Sequence, residues 1–260
     1  MKNNELNTAQ ILAYDETNYK SDGVLQGIGK LCLKIFIIFL TVYLITYSSV
    51  SYVLSSLTIQ NQQKLESFLA SGIKLEEEYK VIQNELPNEI AHKIVSIDKN
   101  FRKTENLKVV VIDAPQKNAM CLPNGKIYIT KQLMDILKNE EMLTFVVAHE
   151  LAHYNHKDHL VSFKKQISNI ALVFLAFIFV PDSDIFTNFV SNSLTIMDLA
   201  HSREAEYSAD RYAGEILRYF YGDVDGGVEV LKTINNAKED YNEILATHPN
   251  YKNRIYYLTK

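Results

Sequence analysis

Two histidines, His149 and His153, enclose a glutamate in the run His149-Glu150-Leu151-Ala152-His153. Residues four apart on a helix share a face, so both imidazoles can reach one ion at the roughly 2.0–2.1 Å of a zinc–nitrogen bond. Glu150 lies one position along, rotated out of direct ligation but near enough to hydrogen-bond a water on the metal. Two ligands and a base are what metal-assisted hydrolysis requires. The proline-free stretch from about Gln132 to Lys157 has apolar residues at helical spacing, which predicts that the motif lies on a helix. Phe145, Val146, Val147 and Ala148 just ahead of it predict a turn buried against a core. His156 and His159 fall about 300° and 240° round the helix from His153 and are expected to be solvated.

A zinc ion that keeps one position for water needs a third protein ligand. The three-histidine pattern H-E-x-x-H-x-x-G-x-x-H is absent, because position 156 is His where Gly would stand. A downstream carboxylate is the other solution. The segment Ser202-Arg203-Glu204-Ala205-Glu206-Tyr207-Ser208-Ala209-Asp210 offers one, although by itself it also reads as an exposed charged helix.

These segments together resemble the HtpX-like, CAAX-protease-like zinc metallopeptidases, metallopeptidase family forty-eight of the gluzincin type. H-E-L-A-H followed by S-R-x-x-E-Y-x-A-D carries the likeness. Asn118-Ala119 with Pro123, Gly125 and Thr130 is similar to the family's segment ahead of the zinc helix, and Thr247-His248-Pro249 with Arg254-Ile255 is similar to its late H-P-x-x-x-x-R-I element. The four motifs cover about residues 107–260, and the N-terminal hundred residues carry none. Asn124 departs from a common Gly, and Cys121 occupies an apolar position.

The resemblance implies a zincin-like domain with one Zn2+ per chain, held by His149, His153 and Glu206, and with Glu150 activating the water. Asp210 would orient a zinc-binding histidine. The strand Lys126–Thr130, with Lys126, Ile127, Tyr128 and Ile129 and the preceding Asn118 and Ala119, would be the edge that pairs with an extended substrate. His248 would approach the metal cleft and donate to the developing oxyanion, or else simply begin a turn before Pro249. The helix faces agree with Glu206 over Glu204. These two are 200° apart, and Glu206 shares its side with Ala209, Asp210 and Ala213, whereas Glu204 shares its side with Ser208 and Arg211.

Other elements must position this chemistry. At 260 residues the chain suits one ordinary domain with appendages. Net charge is −4 and no stretch concentrates Lys and Arg, which argues against a nucleic-acid partner. Cys32 and Cys121 are too few for a disulfide framework. Ile35 to Leu57 gives 23 residues without a formal charge, long enough to cross a bilayer as a signal anchor after the tail 1–34. Lys20, Lys30 and Lys34 precede it and only Lys64 closely follows, so the positive-inside rule places the N-terminus in the cytoplasm and the catalytic domain outside.

Residues 58–106 read as a helical lead-in broken at Pro87. Leu107–Asp113 and Lys126–Thr130 read as strands, the second after a Pro-Asn-Gly turn. Two strands followed by helices predict a mainly helical α+β domain over 107–260, behind one transmembrane helix. The apolar run Gln166–Val180 is short and lies between His153 and Glu206. A single crossing there would separate the ligands, and Ile185–Ala200 makes a poor return span, so an interfacial or buried position is expected. The function implied is a membrane-anchored endopeptidase in contact with lipid, cleaving protein or peptide substrates such as damaged or partly inserted membrane proteins. An inactive zinc-binding scaffold and a chaperone-like membrane assembly factor are the rival readings.

Overall fold

The structure, a computed structural model, describes residues 8–102, 104, 106–179, 202–236, 248 and 253–260. It is mainly helical with one small sheet.

Helix α1 (Thr8–Ser56) begins well ahead of the expected span, so much of the N-terminal tail is helical. From Val24 to Ser56 it is long and apolar enough to cross a membrane, and this part is not buried. Several of its hydroxyls bond back to the helix. Thr41 Oγ1 donates to Ile37 O at 2.7 Å, and Ser56 Oγ to Tyr52 O at 2.8 Å. Back-bonding of this kind lets Ser and Thr sit in an apolar helix without unpaired polar groups.

The lead-in is more broken than its sequence suggests. Helices α2 (Ile59–Ser71) and α3 (Leu75–Glu78) are followed by strand β1 (Val81–Ile82) and helix α4 (Leu86–Ile97). Pro87 starts α4 instead of breaking a helix, because its missing N–H is no loss in a first turn. Ile90, Ala91 and Ile94 of α4 enter the main core, which therefore begins before residue 107.

Strands β2 (Lys108–Ile112), β3 (Ala119–Cys121) and β4 (Lys126–Thr130) complete a sheet of order β1-β2-β4-β3. β2 and β4 run parallel, and β1 and β3 pair antiparallel at the two edges. Successive side chains alternate faces. Val109, Ile127 and Ile129 face the main core, while Val110, Ile112 and Tyr128 meet Ala70 and Leu75 on the other side. Burial of both faces accounts for the unbroken apolar run in β2. The β3–β4 turn needs Gly125, whose φ is +90°, and a Cβ there would meet Thr104 Oγ1 at 2.8 Å.

The expected helix 132–157 is two helices, α5 (Lys131–Met134) and α6 (Glu140–Asn155). Asn139 takes an extended conformation between them, and its side chain accepts from Met142 N, capping α6. Every residue of α6 from Met142 to Tyr154 is buried, among the sheet, α4 and the later helices. A helix enclosed on all sides carries no polar stripe.

Of the two positions expected for 166–180, helix α7 (Asp158–Phe179) excludes burial within the domain. The apolar run is the later part of a 22-residue helix, and residues 158–177 are long and apolar enough to cross a membrane. It is not buried in the domain: among residues 166–177 only Ser168 is, and that hydroxyl donates to Lys164 O. α7 packs along α1, with Lys164 Nζ over the Tyr47 ring at 5.4 Å. The lysines that shorten the run in sequence are thus accommodated in the helix. Residues 185–200 lie outside the described residues.

Helices α8 (Arg203–Tyr221), α9 (Asp225–Asn236) and α10 (Arg254–Thr259) close the domain. Ser202 caps α8 by accepting from Ala205 N. At Gly214 a Cβ would lie 2.4 Å from Leu258 O, so this glycine lets α10 seat directly on α8.

Candidate metal centre

α6 and α8 pack against one another, and α6 brings His149 and His153 one turn apart to the buried face of α8. Glu206 is fully buried there together with Ala209, Asp210 and Ala213, whereas Glu204 and Arg211 are exposed. Small residues on that face let the two helices approach closely enough for a short carboxylate to reach the imidazoles.

His149, His153, Glu206 and His248 each offer one donor atom, all within 4.8 Å of one another. His149 Nε2 lies 3.1 Å from His153 Nε2 and 3.3 Å from His248 Nδ1. Glu206 Oε1 lies 3.0 Å from His248 Nδ1 and 3.4 Å from His153 Nε2. Ligands at 2.0–2.1 Å round a tetrahedral ion would be separated by about 3.3–3.4 Å. The observed spacings match that edge. One imidazole proton cannot serve three neighbours at once, and His149 Nε2 has three, whereas a cation between them would satisfy all. The donor set of imidazoles and a carboxylate therefore fits a borderline-soft divalent ion.

Glu150 is buried beside the cluster and does not join it, and its Oε1 lies 3.3 Å from His248 Nε2. His248 is therefore held between the donor cluster and Glu150. Its neighbours Thr247 and Pro249 lie outside the described residues.

The outer groups are charged and buried. Asp210 Oδ1 faces His149 Nδ1 at 3.1 Å, off the line of an ideal hydrogen bond. Arg254 donates to both Asp210 oxygens at 2.7 Å, and its Nη1 lies 3.1 Å from Glu206 Oε2. Burial alone would raise the Asp210 pKa, but the Arg254 hydrogen bonds overcome it and hold the carboxyl below its ordinary range. The same competition lowers Glu206: burial opposes ionisation, and His248, His149 and His153 outweigh it. Burial opposes the charge on His153, while Asp158 and Glu206 raise its pKa to about 9.

The sequence motif of peptidase family M48 matches residues 82–260. The chain belongs to this family. It is 28% identical to a protease HtpX homologue of Helicobacter acinonychis over 277 aligned residues, covering 90% of this chain and 85% of the relative. It is 29% identical over 150 residues to the mitochondrial metalloendopeptidase OMA1 of Schizosaccharomyces pombe, covering 56% of this chain and 43% of that protein. The bovine OMA1 metalloendopeptidase is 26% identical over 168 residues, of which the alignment covers 32% of its length. The chain thus spans less than half of each of these two mitochondrial relatives. The M48 match begins at Ile82, in β1, where the sheet itself begins.

Two site readings need correction in this M48 domain. β4 is interior, paired on one side with β2 and on the other with β3, so Lys126, Ile127, Tyr128 and Ile129 cannot pair with a substrate strand. Strand order is a tertiary property that alternation in one strand does not reveal. Among the described residues β3 is an edge strand, and Ala119 on it lines a recess beside His149 and Glu150, while Asn118 is tied to Thr130 at the strand's start. His159 is buried rather than solvated, because α6 ends at Asn155 and the helical wheel does not continue to 159. It meets Glu66 Oε1 at 3.1 Å. His156 is exposed.

Arg254 and Asp158 escaped the sequence reading. Arg254 was visible as part of a motif without a role. Asp158 carried no motif and becomes significant only because the chain turns back after α6.

Proposed function

We propose that this chain is a membrane-anchored zinc endopeptidase acting in quality control of membrane or envelope proteins. The observation that carries the reading is the buried cluster of His149, His153, Glu206 and His248 with tetrahedral spacing and Glu150 beside it. The names of its relatives, protease and metalloendopeptidase, support it.

His149, His153 and Glu206 would hold one zinc ion. When bound, zinc lowers the pKa of a water to about 7 and polarises a carbonyl. Glu150 accepts the proton of the attacking water and passes it to the leaving amine. Asp210, fixed by Arg254, holds the His149 ring so that Nε2 points into the cluster. His248 supplies its ring N–H to the developing oxyanion once substrate occupies the cleft.

An extended substrate pairs with the free edge of β3. Beside the site, Ala119, Leu133, Phe145, Val146, Val230 and Ile234 line a small apolar recess. This recess selects an apolar side chain next to the scissile bond. α1 anchors the domain, α7 crosses beside it, and the catalytic domain faces away from the cytoplasm.

Zinc analysis and casein cleavage by the purified protein test the reading. Glu150→Gln keeps the metal, and its activity falls by orders of magnitude, as it does with a chelator in the wild type. A Glu150→Gln protein that cleaves at the wild-type rate refutes the mechanism. Zinc without cleavage in the wild type leaves a scaffold, and neither leaves an assembly factor.

A further inference from the structure

His149 and His153 are steadied by carboxylates from different parts of the molecule. Asp210 of α8 faces the first from within the core. The second, His153, donates from Nδ1 to Asp158 Oδ2 at 2.8 Å, and Asp158 is the first residue of α7. α6 has ended by then. Asn155 is its last residue, and Lys157 turns the chain with φ +60°, the one positive φ among the described non-glycine residues. That turn swings Asp158 back over the end of α6.

The first turn of α7 is itself fastened from several sides. His159 meets Glu66 of α2, and Lys157 Nζ donates to Gln62 Oε1 at 3.2 Å. Glu66 also accepts from Arg102, whose backbone N–H donates to Asn155 Oδ1 at 2.9 Å. Further along, α7 lies against α1.

We infer that Asp158 is a positioning residue for His153, through which the seat of the membrane helix α7 sets the affinity of the metal site. The inference rests on the reading that His153 binds zinc. A carboxylate accepting Nδ1–H fixes the tautomer, leaving the Nε2 lone pair free for the ion, and fixes the ring plane. Because this carboxylate belongs to α7, a shift of α7 against α6 moves the acceptor and releases the ring. The polar contacts of α2 with His159 and Lys157 oppose such a shift.

The test is zinc affinity of the full chain in lipid nanodiscs, measured by competition with a chromophoric chelator, with circular dichroism reporting the fold. Asp158→Ala weakens zinc about 10–100-fold, the usual effect of losing such a partner. Asp158→Asn keeps an acceptor oxygen and weakens it only a few-fold, which also serves if the alanine variant does not fold. His159→Gln, which loosens α7 without touching His153, weakens zinc several-fold and adds nothing in the Asp158→Ala background. Wild-type affinity in the folded Asp158 variants overturns the inference, and additive losses from His159→Gln and Asp158→Ala overturn the coupling through α7. Absence of zinc from the wild type instead refutes the assignment of the site.

Discussion

Arg254 holds a positive charge almost wholly out of water, against Asp210 on one side and Glu206 on the other. Two buried carboxylates this close would repel without it. Lysine keeps the charge but lacks the planar fork that binds both Asp210 oxygens. Arg254→Lys therefore destabilises the fold, and Arg254→Met, which leaves both carboxylates uncompensated, costs about 3–5 kcal/mol, measured by urea unfolding. Glu206 and Glu204 make the contrast at the same scale. Glu206→Ala empties the metal site in zinc analysis, whereas Glu204→Ala, on the exposed side of α8, keeps full occupancy. Zinc loss confined to the Glu204 variant would refute the ligand set. The two histidines and Glu150 were legible because helical spacing fixes which side chains share a face, and Glu206 through the family resemblance, with which the helix faces agree. Asp158 and Arg254 were not, since each acts only on a residue that the fold brings from elsewhere in the chain.

Among the elements, α2 bears more of the structure than its mixed sequence suggests. Glu66 is buried between Arg102 and His159. Burial opposes its charge, yet hydrogen bonds from His159 and Arg102 hold its pKa below the ordinary 4.5. A depressed carboxylate contributes stability above its unfolded pKa and loses it as the pH falls through the folded value. Glu66→Gln therefore lowers the Tm at pH 7, where Arg102 and His159 lose a charged partner, and the gap to wild type narrows below pH 4.5. Thermal melts across that range check it, and a gap that widens in acid would contradict the assignment. β2 and β4 could be read from sequence because each is a run of branched apolar residues. β1 has two residues, too few for any period, and the interior place of β4 depends on a crossover that alternation does not encode. Asn139 could have been recognised as a cap, but it lies in a stretch with no Pro or Gly to mark the break.

At the level of the whole molecule, two apolar helices leave the domain side by side. α1 enters it at Ser56 and α7 departs from it at Asp158. His149 and His153 precede α7 and Glu206 follows it, so a crossing by α7 requires a return between residues 180 and 201. With the N-terminus in the cytoplasm, a reporter fused after Lys260 reads as extracytoplasmic. A cytoplasmic signal would reverse the compartment and leave the chemistry untouched. The first apolar span was legible by length alone. The full length of helix α7 was not, because the charges at its start make the run look short until Lys164 is seen resting on Tyr47 of α1.

Glu206 meets the histidines of α6 from 53 residues beyond His153, with α7 lying between. An ion held by these side chains closes the intervening chain into a loop, as a covalent cross-link would. For a loop of this length the lost freedom of the unfolded chain corresponds to about 4 kcal/mol. A metal bound there would act as a clasp on the α7 excursion as well as a reagent. Stripping it with a chelator lowers the Tm of the intact protein even in the Glu150→Gln variant, which has no turnover to lose. An unchanged melting curve on metal removal would mean that the two arms of the loop are held together by packing of α6 on α8 alone.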